Sequence, residues 1–427
     1  MAGVSAEARR ARPVRLRDLA RLFGRLSVTA FGGPAAHIAL MQRELVDQRG
    51  WLTDGEFLDL VGASNAIPGP TSTEVALYTG RRHGGVLGLV VAGLAFIAPA
   101  ALIVGVLAWV YARYGARPLA GDVLAGVKPV VVAVVSVAVV RLGRTAFTSR
   151  LLAVIGAMVV AAYLAGLNEP VLLLAAAAVA AALGPGGRRR GRPGPLLAAL
   201  LGLLAAAGRF LAGPGAASAA GRVLAGPGAA SSTGGGVLPG GGVWRAVVAR
   251  AGSPDLLRIF GAFLKVGALL FGSGYVLLAF LRRDLVLSHG WLTEGQLLDA
   301  IAVGQVTPGP LFTTATFVGY LLRGVPGALV ATVAIFLPAF LMTAVLEPVI
   351  ARLRNTPVTA AALDGLNAAA VALMAGVTWF LGRDAVVGVP TALLATGALV
   401  ALLRWRLNPV WLMAAGAGAG LVLRSHL

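Results

Sequence analysis

Two short tripeptides in this chain have the composition to hold a charged solute. Pro68-Gly69-Pro70 and Pro308-Gly309-Pro310 each interrupt an otherwise apolar stretch. Proline lacks an N–H and clashes with the preceding turn, and glycine loosens the backbone, so neither tripeptide continues an α-helix. Hydroxyls follow each one, Thr71, Ser72 and Thr73 after the first and Thr313 and Thr314 after the second. Proline suits the first turn of a helix. A half-helix is therefore expected to start at each break, with its free N–H groups facing the break. Such N-termini carry about +0.5 elementary charge and attract oxyanions. A single break of this kind is an ordinary kink with hydroxyl caps; a matched pair in apolar surroundings points to a site between them. The glycines Gly32 and Gly33 of Phe31-Gly32-Gly33-Pro34 and Gly272 of Phe271-Gly272-Ser273-Gly274 join the candidate set. They are either second breaks or places where helices approach closely.

Few charged groups lie near these breaks. Asp59 and Asp299 precede the tripeptides on short helices. They are read as proton carriers, as braces for Arg43 and Arg283, or as simply exposed at the interface, and bracing or exposure is the reading preferred. Glu74 lies on the expected half-helix and has no acidic counterpart in the second part of the chain. A fixed negative charge there conflicts with an anion site, so Glu74 is assigned a proton that it exchanges during transport. The four histidines are scattered without ligand spacing and cysteine is absent, so neither a metal site nor any cofactor is expected. No Walker loop is present, which leaves gradient-driven movement rather than ATP-driven pumping.

The elements that must position these residues are membrane helices. Of the 427 residues, 58% are hydrophobic and only 12% charged, against ~25% charged in soluble domains. Segments such as Val86–Tyr111 and Val325–Leu346 exceed the ~20 apolar residues needed to cross a bilayer. Helices are expected over Leu16–Leu40, Glu56–Ala66, Thr71–Arg81, Val86–Tyr111, Leu119–Leu142, Leu151–Ala165 and Pro170–Leu183. In the second part they are expected over Leu256–Leu281, Gln296–Val306, Leu311–Leu322, Val325–Ile350, Val358–Leu381, Ala385–Leu403 and Pro409–Leu423. The net charge of +19 comes almost wholly from arginine. These arginines sit in the links between apolar runs, which suits anionic headgroups rather than nucleic acid. Trp51 and Trp291, in Gly-Trp-Leu-Thr, read as interfacial anchors, with Thr53 and Thr293 capping the helix that follows.

The chain repeats itself. At a shift of 240, Gly50-Trp51-Leu52-Thr53 meets Gly290-Trp291-Leu292-Thr293, Asp59 meets Asp299, Arg43 meets Arg283, and the two Pro-Gly-Pro breaks coincide. After a one-residue slip, Gly80, Gly85, Gly88 and Pro99 meet Gly319, Gly324, Gly327 and Pro338. Matches at Gly, Pro, Trp and Asp indicate duplication rather than shared apolarity. The expected fold class is thus an all-α polytopic membrane protein of two homologous helical halves with Pro-Gly-Pro-broken helices. Residues 1–15 form a basic cytoplasmic tail, 16–183 the first repeat, 184–253 a Gly/Ala/Pro/Arg-rich connector and 254–427 the second repeat. Leu196–Ala212 in the connector is apolar enough for one more helix, which would invert the second half; the even spread of arginine does not decide this.

The motifs resemble a known family. Phe31-Gly32-Gly33-Pro34-x-x-His37-Ile38, Glu44, Gly50-Trp51-Leu52-Thr53 and Ile67-Pro68-Gly69-Pro70 are similar to the chromate ion transporter family. So are Gly304-Gln305-Val306-Thr307-Pro308-Gly309-Pro310, Thr313 to Tyr320 and Phe336-Leu337-Pro338-Ala339-Phe340. The resemblance implies an inner-membrane secondary transporter that expels chromate, coupled to the proton motive force, with sulfate as a related oxyanion. A homodimer is the assembly to consider. The sequence departs from the family pattern at Asn65, at Thr71 to Glu74 and at Gly272-Ser273-Gly274, all beside the expected site. A passive anion channel and a membrane-embedded enzyme are the competing classes, and the enzyme has no candidate constellation of side chains.

Overall fold

The computed structural model describes residues 14–30, 34–64, 69–115, 118–184, 254–270, 277–353, 357–405, 407 and 409–422. In the first half the elements are α1 (Leu16–Thr29), α2 (Pro34–Gln42) continuing as a π-helical turn (Arg43–Gln48), α3 (Asp54–Ser64), α4 (Thr71–Tyr114), α5 (Pro118–Ala146), α6 (Arg150–Leu164) and α7 (Glu169–Leu183). The second half repeats the order. It has α8 (Leu256–Leu269), α9 (Leu277–Leu281) with a π-helical turn (Arg282–Ser288), α10 (Glu294–Val306), a 3-10 turn (Leu311–Thr313) leading into α11 (Thr314–Leu353), then α12 (Pro357–Ala385), α13 (Val389–Arg404) and α14 (Pro409–Val422). The basic tail before residue 14 and the connector 185–253, with its expected extra helix, lie outside the described residues.

The uninterrupted run of α4 is two helices. Gly84 and Gly85 leave the helical region, and Gly85 has φ +60°. Beyond them the chain doubles back, so that a Cβ on Gly80 would stand 2.6 Å from the Ala92 Cβ and 2.8 Å from the Gly88 carbonyl carbon. Residues eight apart on one helix are about 12 Å apart along its axis, so this contact requires a hairpin. Residues 71–83 form a short inner arm and 86–114 a long outer arm. α11 does the same at Arg323 and Gly324, where φ is −150° and +64°. There Gly319 meets Ala331, and Thr316 and Thr332 share a 2.7 Å hydrogen bond across the arms.

The expectation of single helices over Leu16–Leu40 and Leu256–Leu281 is overturned. Helix α1 ends at Thr29 and a new helix begins at Pro34. Arg25 and Glu44 form an ion pair, which a chain continuing straight on would hold far apart. The chain instead turns back, and the same happens in the second half, where Lys265 meets Asp284 at 2.7 Å. These two pairs occupy equivalent positions in the repeat. The π-helical turns end at Gly50 and Gly290, with φ +61° and +62°. Thr53 and Thr293 then cap α3 and α10 through reciprocal bonds with Glu56 and Gln296. Arg82, at the end of the inner arm of α4, reaches back to Glu56 at the start of α3. Each half therefore sends two re-entrant hairpins inward from one face. Their arms of 11–15 residues, π-helical turns included, are too short to cross a ~30 Å core; the outer arms of α4 and α11, with α5 and α12, are long enough.

The two halves are inverted. Arg81, one turn before the first reversal, donates to the carbonyls of Thr343 (3.1 Å) and Ala344, far beyond the second reversal. Tyr111, near the far end of the first outer arm, donates to Asp299 on a hairpin that enters beside the second reversal. A parallel arrangement would pair positions at equal distances from their reversals; these pairs are complementary instead. The face holding Gly84–Gly85 is called A and that holding Arg323–Gly324 is called B. The last helices are exchanged: α7 packs Ala176 and Ala180 on Gly365 of α12, and α14 packs Gly416 and Gly420 on Gly126 of α5. Outward-facing side chains such as Leu102, Met158, Leu329 and Val345 are more than half exposed and apolar, a surface suited to lipid rather than water.

Trp291 departs from its expected interfacial place. It is only 8% exposed and stacks on His289 with ring centroids 4.4 Å apart, so it packs within the protein.

Candidate functional site

The breaks of the two halves meet each other. The Gly69 N–H donates to the Leu270 carbonyl at 2.8 Å, and the Gly309 N–H donates to the Ala30 carbonyl at 3.2 Å. Ala30 and Leu270 are the residues that end α1 and α8. Each half's Pro-Gly-Pro thus docks on the C-terminus of the other half's first helix. That leaves two helix N-termini (of α4 and of the turn leading into α11) and two helix C-termini converging where four re-entrant tips meet. Opposite ends of the helix dipole are adjacent there, which stabilises the tips in a low-dielectric setting. His37, 2% exposed, adds a second contact to the Ala30 carbonyl at 3.0 Å.

Glycine at the centre of each break is required by space. Gly69 and Gly309 have φ +151° and +96°. A Cβ on Gly69 would lie 2.5 Å from the Glu74 Oε1 and 3.1 Å from the Ala339 Cβ, and one on Gly309 would strike Ala100 and stand 3.2 Å from the Ser27 carbonyl. Ala100 and Ala339 are equivalent positions on the outer arms, each just after a proline, so the crossed packing is symmetric. The Ser27 hydroxyl accepts from the Ala100 N–H at 3.2 Å, which ties α1 to the outer arm.

Glu74 is the asymmetric element. It is fully buried, and neither carboxyl oxygen has a hydrogen-bond partner. The carboxyl points back over Gly69, into the break. Thr73 beside it is also fully buried with its hydroxyl unpartnered. An unpaired carboxylate in such a place is costly, and taking up a proton removes the charge.

The sequence-predicted set falls into three groups. Gly69, Pro70, Thr71, Ser72, Thr73, Glu74, Pro308, Gly309, Pro310, Thr313 and Thr314 are brought together around the meeting tips. Gly32, Gly33, Pro68 and Gly272 lie outside the described residues, as does the side chain of Asp59. The remaining charges are placed elsewhere. Arg43 is exposed on the π-helical turn. Arg283 pairs with Glu169 at 3.1 Å, not with Asp299, so the expected brace is not formed. Asp299 is held by Lys128 at 3.3 Å and by the Tyr111 hydroxyl at 2.6 Å. The threonines also depart from expectation. Thr313 and Thr314 donate their hydroxyls to the Pro310 and Leu311 carbonyls at 2.8 Å, and the Thr313 N–H also bonds the Pro310 carbonyl at 3.0 Å, so neither hydroxyl proton is offered to the break. Lys128, Tyr111 and Glu169 were not singled out from sequence. Lys128 carried one signal, as one of two lysines in a chain that otherwise uses arginine. Among the described residues no group of acidic residues and histidines could hold a metal ion.

Comparison with known proteins agrees with this architecture. The family model described as "Chromate transporter" matches twice, over residues 17–182 and 257–421. A "Chromate transport protein" of Cupriavidus metallidurans is 32% identical over 409 residues, covering 95% of this chain and 93% of its own. One of the same description from Pseudomonas aeruginosa is 33% identical over 417 residues, covering 96% and 92%. The "Uncharacterized transporter YwrA" of Bacillus subtilis is 30% identical over 172 residues, which is 39% of this chain but 97% of its own length. No solved structure matches significantly. With two copies of the family's domain, each over one of the inverted halves, the chain belongs to the chromate transporter family.

Proposed function

We propose that this chain exports chromate, or a similar tetrahedral oxyanion such as sulfate, across the inner (plasma) membrane, driven by the proton motive force. The observation that carries the reading is the crossed docking of the two breaks, Gly69 on Leu270 and Gly309 on Ala30. It brings the helix N-termini that begin at Pro70 and Pro310 to the meeting of the halves, and helix N-termini favour oxyanions without any fixed positive charge. Pro70 and Pro310 begin those turns, Thr71, Ser72 and Thr73 line the first, and Thr313 and Thr314 line the second. Glu74 supplies the proton: charged, it competes with the anion for the first break; protonated, it yields the place. The preference of cytoplasmic loops for arginine, with the basic N-terminal residues, supports a cytoplasmic face A.

Radiolabelled chromate uptake into inverted vesicles carrying the protein tests this. Accumulation should need a proton gradient, collapse with an uncoupler and be reduced by sulfate. Pro70→Ala and Pro310→Ala variants that still fold should lose it, and full activity in both would remove the site. No uptake by the folded parent would remove chromate as substrate.

A further inference from the structure

We infer that face B is closed by an ionic latch between the halves, and that the transported anion opens it by drawing Lys128 away from Asp299. The second clause rests on the oxyanion reading above; the first does not.

Among the described residues two ion pairs join one half to the other. Lys128 on α5 meets Asp299 on α10 at 3.3 Å, and Glu169 at the start of α7 meets Arg283 at 3.1 Å. Both lie toward face B, because α10 and the Arg282–Ser288 turn belong to hairpins that enter from that face. Both acids are shielded, with side chains 7% and 1% exposed. Asp299 is held a second time by the Tyr111 hydroxyl at 2.6 Å, and Arg283 also donates to the Leu167 carbonyl at 3.2 Å. Shielded carboxylates such as these cost free energy unless they are paired, and both are paired across the halves.

The repeat supplies the control. If closure needed ion pairs as such, face A would carry them too. At the equivalent positions the sequence has Asp59 with Asn367, and Arg43 with Asn408. Each pair keeps one charge and replaces the other by asparagine. Tyr111 is matched by Ile350. Among the described residues the ion pairs that join the halves lie toward face B, and each equivalent pair of positions in the sequence of face A lacks one of the two charges.

Lys128 is the responsive member. Its ammonium has a single carboxylate partner, is still 24% exposed, and lies 3.5 Å from where a Cβ on Gly295 would stand, near the mouth of the hairpin. An oxyanion arriving there offers the ammonium the same contact that Asp299 gives. Arg283 carries a planar, multiply bonded guanidinium and is the fixed part of the lock. Lys128 is thus a positioning residue: it acts on access to the central site rather than within it.

The chain has no cysteine, so Ala302→Cys creates a sole thiol. Ala302 is 3% exposed and lies one turn deeper than Asp299 on the same face of α10, behind the latch. The measurement is the rate of labelling by a hydrophilic maleimide in nanodiscs, with and without sulfate, which unlike chromate does not oxidise thiols. In the parent, labelling should be slow and should rise at least fivefold with saturating sulfate. With Lys128→Asn, the residue that face A uses, it should be fast without sulfate and gain nothing from it. Lys128→Arg should restore the slow, sulfate-dependent pattern. If Lys128→Asn is not monodisperse, Asp299→Asn removes the same pair and takes its place. Slow labelling in the asparagine variant overturns the latch, whatever sulfate does to the parent. Fast labelling there, with no sulfate effect on the parent, keeps the latch and overturns the anion as its opener.

Discussion

At the scale of single residues, the two halves differ most at Glu74. The second break is followed by Thr313 and Thr314, whose hydroxyls are spent on their own turn. The first is followed by a buried carboxyl without a partner. Replacing Glu74 with glutamine keeps the shape and removes the proton. Transport by that variant should lose its dependence on pH across the range in which the parent varies, and anion counterflow without a gradient should persist. Unchanged pH dependence in the vesicle assay would sink the assignment. Much of this was legible in the sequence, since Pro, Gly and hydroxyl residues in a matched pair state their backbone consequences directly. The partners of the charges were not. Asp299 was expected to brace Arg283, its neighbour in the motif, yet Lys128 and Tyr111 of the other half hold it. No local pattern encodes a contact between inverted halves.

Among the elements, the glycine contacts at the reversals are the most exacting. Gly80 and Gly88 meet backbone to backbone, as do Gly319 and Gly327. A valine at Gly80 would have to push the arms of α4 apart. The expected loss is at least the ~1–3 kcal/mol typical of overpacking, seen as a lower thermal midpoint in detergent. Gly85→Ala tests the turn itself, because φ +60° is strained for any residue with a Cβ even though the space around it is open. The sequence did reveal these helices as separate, because Arg81, Arg82 and His83 interrupt the apolar run. It did not reveal that Leu16–Leu40 folds back on itself. Apolar length says that a segment can lie in lipid; it does not say whether the chain proceeds or returns. The return brings Arg25 to Glu44 and leaves the Ala30 carbonyl to accept from Gly309, contacts between residues 19 and 279 positions apart in sequence.

For the molecule as a whole, inversion decides the topology. Gly184, at the end of the first half, lies against Ala361 at the face-A end of α12. Pro254, at the start of the second half, accepts from Arg323 on face B. Topology reporters fused after Gly184 and after Pro254 should therefore read opposite sides of the membrane, and the same side for both would refute the inversion. The arginine distribution could not decide this beforehand because charged links occur at both faces. The crossed docking also bears on synthesis. The Gly69 N–H finds its acceptor on Leu270, about 200 residues downstream, which at ~5–20 residues per second is some 10–40 s of translation. Through that interval the first half sits in the bilayer with its tips unpaired. The central site is thus the last part of the protein to form, and the first half must persist as an unfinished intermediate until the second arrives from the opposite face.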